Sequence, residues 1–118
     1  MNRLEDKERL DFLEFRQELL FSNSSIDRLL FEYRVTKIQY EQIMDLFDSI
    51  RERIGNGETV NHHSYENEVY KIVPQHNHDY HFAESLAQCF HENDRWDEVF
   101  VHLYGELPKF QHYLSKQD

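Results

Sequence analysis

Residues 36 to 57 read Thr-Lys-Ile-Gln-Tyr-Glu-Gln-Ile-Met-Asp-Leu-Phe-Asp-Ser-Ile-Arg-Glu-Arg-Ile-Gly-Asn-Gly, and they spell one helix from its first turn to its stop. Thr36 and Gln39 form a capping-box pair, in which the hydroxyl accepts a first-turn N–H and the amide reaches back to the cap backbone. Tyr40, Ile43, Phe47, Ile50 and Ile54 recur at alternating three- and four-residue steps and so line one stripe, while Glu41, Gln42, Asp45, Asp48, Glu52 and Arg53 face outward. Gly55, Asn56 and Gly57 end the helix, because such residues take left-handed backbone angles cheaply. This pattern predicts an all-α chain; it speaks to architecture and little to chemistry.

The same period continues on both sides. In residues 3 to 21, Leu10, Leu13, Gln17 and Leu20 take heptad-like positions, and Phe12, Phe15, Leu19 and Phe21 widen the apolar surface beyond what one partner helix covers. Ser22-Asn23-Ser24-Ser25 breaks that helix, and Ile26 to Tyr33 reads as a short second one capped by one of the serines. Ser64 to Val73 carries Tyr65, Val69 and Ile72 on one side and is stopped by Pro74. Asp79 caps a helix whose inward face is Phe82, Leu86, Cys89 and Phe90. Asn93-Asp94 reads as a turn capping the next helix, with Trp96, Val99, Phe100 and Leu103 as its core face, and Pro108 separates a tail helix around Phe110 and Tyr113. The expectation is a compact multihelical bundle of six or seven helices in a single domain, residues 1–118. Val99-Phe100-Val101 is the one β-like run, and it lies inside a better helical period.

Composition narrows the function classes. Nine Phe, seven Tyr and one Trp supply a core, while three Gly and two Pro are few for a turn-rich β fold. Thirteen Lys and Arg stand against twenty-three Asp and Glu, a formal charge of −10. With no basic run to displace counterions from a phosphate backbone, direct nucleic-acid binding is disfavoured, as is docking on anionic lipid. No apolar stretch approaches the roughly twenty residues that a membrane span needs. Met1-Asn2-Arg3-Leu4-Glu5-Asp6-Lys7-Glu8 lacks the apolar core of a signal peptide, and the one cysteine, Cys89, makes no internal disulfide. A cytoplasmic protein is expected.

The apolar N-terminal helix with Leu13-Glu14-Phe15, the Ser/Asn break, the capped helix at 37 to 54, the glycine turn and the run from Phe90 to Tyr104 together resemble the YhaI-like family, small uncharacterised proteins from Bacillus and related bacteria. The likeness covers roughly residues 10 to 115 and is strongest over Leu13 to Phe21, Gln42 to Arg51, Ser64 to Val69 and Leu86 to Leu103. In the family the turn between the last two long helices usually looks like glycine plus an apolar residue, whereas this chain has Asn93-Asp94-Arg95. The resemblance implies a multihelical, self-associating fold. It implies no activity and brings no catalytic residues.

Residues with chemical potential are few. His62, His63, His76, His78 and His81 cluster in sequence, and neutral imidazole is a common transition-metal ligand. In His76-Asn77-His78-Asp79-Tyr80-His81, residues 76 and 78 share a side if extended and 78 and 81 share a face if helical, so three ligands converge on paper. The run approaches the His-x-His-x-Asp-His signature of metallo-β-lactamase-like hydrolases, but the aspartate falls one position early and the β-rich scaffold is missing. The plainer reading is a polar connector with Asp79 as a helix cap. No Glu is followed by His three positions later, which excludes a ferritin-like di-iron centre. Cys89 shares a stripe with Phe82, Leu86 and Phe90 and reads as a structural thiol. Ser22, Ser24 and Ser25 are turn and cap residues, and Gly55 and Gly57 lack the Lys or Ser of a phosphate loop. No catalytic residue and no cofactor is assigned.

Three functions follow. The leading one is a cytoplasmic, non-catalytic interaction or regulatory module that self-associates through Leu10, Leu13, Gln17 and Leu20, with Gln17 as the polar residue that sets register in an oligomer seam. The second is a metal- or small-ligand-binding protein using His76, His78 and His81. The third is an acidic inhibitor of a nucleic-acid-binding partner, weakened by the interleaved Arg3, Lys7, Arg9, Arg16, Arg51 and Arg53. Trp96, Tyr33, Tyr104 and Tyr113 offer a ligand groove or hot spot, against the more ordinary reading of core aromatics.

Overall fold

Helix starts follow from short polar side chains that accept the orphan first-turn N–H groups. The Thr36 hydroxyl accepts from Gln39 N–H at 3.1 Å, and Gln39 Oε1 accepts from Thr36 N–H at 3.1 Å. Ser24 and Asp27 form a second capping box, Asn61 accepts from Ser64 N–H at 2.8 Å, and Asp79 accepts from Phe82 N–H at 3.3 Å. Each such cap contributes about 1 kcal/mol. The computed structural model describes residues 3–115. Among them the order is α1 (Arg3–Ser22), α2 (Ser25–Glu32), α3 (Lys37–Gly55), α4 (His62–Ile72), a 3-10 turn (Pro74–His76), α5 (Tyr80–Glu92), α6 (Asp97–Tyr104) and α7 (Pro108–Ser115). The described residues are thus all-α with seven helices and no strand, and none of these helices is long and apolar enough to cross a membrane.

The end of α3 falls where its glycines place it. Asn56 is the C-cap and Gly57 sits at φ +86°, so that Glu58 N–H bonds back to the Arg53 carbonyl at 3.0 Å. Three local expectations are corrected. Helix α4 begins at His62 rather than Ser64, because Asn61 is its cap, which draws His62 and His63 into its first turn. Asn93 and Asp94 serve the helix before them rather than the one after: Asn93 is the C-cap of α5, and Asp94 at φ 58° lets Arg95 N–H reach the Phe90 carbonyl at 2.8 Å. Trp96 is then the left-handed residue before α6, without a side-chain cap bond, and it still reaches the core. Its indole N–H donates to Asp48 Oδ1 at 2.9 Å. Arg53, placed outward by the period of α3, is half-buried because α4 packs over it, with Nη2 3.2 Å from Glu68 Oε2.

The core sits among α3, α4, α5 and α6. Ile43, Phe47 and Ile50 of α3 are fully buried, as are Tyr65, Phe82, Phe90 and Phe100. Phe47 is the hub, its ring centroid 4.8 Å from that of Phe90, 5.4 Å from Trp96 and 5.5 Å from Tyr65. The Tyr65 hydroxyl donates to the Ala83 carbonyl at 2.6 Å, tying α4 to α5. Helix α7 closes one side through Phe110, which packs on Phe100 and Tyr104. At the other side α2 lies on α5 and α1 on α2. Arg16 clamps that last contact by donating to the Phe31 carbonyl at 2.8 Å, with its guanidinium 3.7 Å from the Phe31 ring centroid.

Candidate functional site

Helix α1 divides its apolar residues between two faces. Phe15 and Leu19 turn inward and are buried, and Phe15 meets Tyr40 of α3 at 6.3 Å between ring centroids. Leu10, Leu13 and Leu20 turn outward and remain 66%, 59% and 56% exposed, and Phe21 remains 93% exposed. Gln17 is exposed on the same side. All four residues expected at an oligomer interface therefore share one uncovered face of one long helix. An apolar stripe left in water on an acidic protein marks an interaction surface far more often than an isolated exposed leucine does. Beside it, Glu8, Asp11, Glu14 and Glu18 rim a groove of about 540 Å³ whose apolar lining is Phe12, Phe15 and Ile38.

His76, His78 and His81 do not converge. The 3-10 turn after Pro74 directs His76 inward, where its Nε2–H donates to the Tyr33 carbonyl and its ring lies 5.0 Å from Tyr33 and 5.3 Å from Phe82. A nitrogen that donates its proton in this way is not free to bind a metal. His78, at φ 68°, turns toward Tyr70, and His81 lies against its neighbour Tyr80. Among the described residues no three His, Cys, Asp or Glu side chains form a group able to hold a metal ion. His76 closes the 3-10 turn, His78 sits at a positive φ in the turn after it and His81 lies in the first turn of α5, so neither one strand nor one helix runs through all three.

A second feature was not read from the sequence. His62, His63, Glu66, Asn67 and Tyr70 of α4, His78 in the turn before α5, Tyr80 and Glu84 of α5, Leu107 just before α7 and Lys109 of α7 line a cavity of about 500 Å³. Glu66 and Glu84 are only 7% and 9% exposed. Glu66 Oε2 accepts from the Tyr104 hydroxyl at 2.7 Å, and Glu84 Oε1 pairs with Lys109 Nζ at 2.5 Å. Burial, and then the negative charge of Glu66 and Glu84 among other neighbours, pushes the Tyr65, Tyr70 and Tyr104 hydroxyls above the ordinary tyrosine range. The signal that could have found the pair is spacing: Glu66 stands three residues before Val69 and Glu84 three before Ala87, so each lies on an inward helix face.

The other chemistry-bearing residues take structural places. Cys89 is half-buried, and burial pushes its thiol up against the opposing hydrogen bond with Ser25, which leaves little thiolate. Trp96 and Tyr104 belong to the core, Tyr33 packs on His76 and Phe82, and Tyr113 pairs its hydroxyl with His91 Nδ1 at 2.8 Å. The four aromatics considered as a groove therefore serve as packing. Comparison with protein-family models, with curated proteins and with solved structures finds no match for this chain.

Proposed function

We propose that the protein is a cytoplasmic, non-catalytic interaction module that self-associates along the outward face of α1. The observation that supports this reading is the exposure of Leu10, Leu13 and Leu20 on one side of a helix whose other side, through Phe15 and Leu19, is already buried in its own chain. The resemblance to the YhaI-like family carries the same expectation.

The charges flanking the stripe favour a parallel pair. With Leu10 as position a of a heptad, Leu13 and Leu20 are at d, Gln17 is at a, Arg9 and Arg16 are at g, and Glu14 is at e. Parallel helices place each g residue beside the partner's e residue five positions on, so Arg9 of one copy faces Glu14 of the other. Gln17 then meets its own counterpart and the two amides bond to each other. Antiparallel helices set e against e and Gln17 against Leu13, leaving two glutamates together and an amide without a partner. Arg16 is withdrawn from the seam by its bond to Phe31, and Arg9 and Glu14 make no ion pair with the described residues of their own chain.

Sedimentation equilibrium over a micromolar concentration series tests the reading. The expected result is a mass that rises from one to two chains of 14.5 kDa as concentration increases. A single-chain mass throughout the series contradicts it.

A further inference from the structure

We propose that the cavity between α4, α5 and α7 binds a small organic cation, an alkyl ammonium of the aliphatic amine or polyamine class. This site lies apart from the outward face of α1, so the inference goes beyond self-association and stands or falls without it. The argument begins with what two buried carboxylates need. Withdrawing a carboxylate from water costs several kcal/mol unless hydrogen bonds or a counter-charge replace the lost hydration. Glu66 and Glu84 are both more than nine-tenths buried, yet each engages only one of its two oxygens within the described residues: Glu66 Oε2 with Tyr104, and Glu84 Oε1 with Lys109. Neither remaining oxygen is sealed away, since the single buried side-chain atom without a partner among these residues is Arg53 Nε. Both carboxylates line the cavity.

The protein supplies one cation to this wall, and that cation indicates what the wall accepts. Lys109 Nζ rests on Glu84 with the Tyr80 ring centroid at 5.3 Å and the Phe110 centroid at 5.6 Å, an alkyl ammonium held between a carboxylate and aromatic faces. Among the described residues Glu66 has no such counter-ion. An incoming ammonium completes it, while Tyr70, Tyr80 and Leu107 cover the methylene chain and the nitrogens of His62, His63 and His78 offer further hydrogen bonds at the rim. The volume of about 500 Å³ falls within the range of small-ligand sites. An anion meets two carboxylates here, and a divalent metal lacks a convergent set of three ligands among the described residues, so the charge and shape of the lining single out an organic cation.

Isothermal titration of the full chain with putrescine and with spermidine tests this inference. Saturable binding at one site per chain is expected. Glu66→Gln, which keeps an acceptor for Tyr104, should weaken it about tenfold or more, the loss that follows from removing a charge-assisted hydrogen bond. Glu84→Gln probes the opposite wall and should weaken binding in the same direction, whereas Lys109→Met removes the internal competitor and should tighten it. Glu41→Gln, on the exposed side of α3, removes the same charge elsewhere and should leave binding unchanged. Circular dichroism of each variant confirms that the fold is intact. Absence of saturable heat with both amines overturns the proposal. So does equal weakening by Glu41→Gln and Glu66→Gln, which would reveal diffuse attraction to a chain of net charge −10.

Discussion

Leu13→Asp should leave the protein folded and abolish the proposed pairing. The side chain of Leu13 is 59% exposed within its own chain, so the substitution removes little packing from the core. In a symmetric pair the same change acts twice. Each copy loses the burial of a leucine, about 1.5–3 kcal/mol, and each brings a carboxylate into an apolar seam where a like charge faces it. A loss of at least ~3 kcal/mol corresponds to a dissociation constant raised more than about 100-fold. Sedimentation should then read a single chain at concentrations where the proposal has the parent protein pair, while the helical circular dichroism stays unchanged. The thermal midpoint falls only by the share of stability that association supplied. Helix α1 stays in place because Phe15, Leu19 and the Arg16 clamp on Phe31 are untouched. A Leu13→Asp chain that still pairs as tightly as the parent would move the interface elsewhere.

Phe47→Ala should produce the largest loss of stability of any single truncation in α3. Phe47 is fully buried, and its ring touches one aromatic from each helix that packs around it: Tyr65 of α4, Phe90 of α5 and Trp96 at the start of α6. Removing it leaves a cavity walled by large rigid rings, which collapse poorly into the space. Truncations of this kind cost about 3–5 kcal/mol, against a total stability of about 5–15 kcal/mol for a domain. Urea unfolding followed by tryptophan fluorescence reads the change directly, since Trp96 is one of the contacts. A loss below about 1 kcal/mol, the size of a surface substitution, would show that α3 is not the central helix.

Much of this fold was legible in sequence, for a physical reason that α3 illustrates. Its cap, its stripe and its stop are each local, and local signals survive without knowledge of tertiary contacts. The same holds for the Ser24 and Asp79 caps and for Pro108 at the start of α7. The role of Asn93-Asp94 was misassigned because a chain reversal between α5 and α6 demands left-handed residues, and tertiary packing settled which ones: Asp94 and Trp96. The histidines aligned on paper because a strand or a helix was assumed through residues 76 to 81, whereas the 3-10 turn and the positive φ of His78 scatter them.

The two candidate sites differ in the same way. The wide apolar surface of α1 was legible because periodicity shows more of it than one partner helix covers; which part its own chain leaves uncovered came from the packing. Spacing could have put Glu66 and Glu84 each on an inward helix face, but not at one cavity, because two glutamates eighteen positions apart in a strongly acidic chain look like solvated charges until α4 and α5 are placed side by side. A buried charge reveals itself through its neighbours, and those neighbours come from α6 and α7, through Tyr104 and Lys109.

The central claim is that two copies meet along Leu10, Leu13, Gln17 and Leu20 in parallel register. Disulfide trapping tests it most directly, with Cys89→Ser as background so that each introduced cysteine is the chain's sole thiol. Gln17→Cys should link to its counterpart under mild oxidation and run as a dimer on a non-reducing gel, because a parallel seam places residue 17 of one copy beside residue 17 of the other. A Gln17→Cys chain that stays single while a mixture of Leu10→Cys and Leu20→Cys chains links would contradict the parallel register, and failure of every pairing would contradict the interface itself.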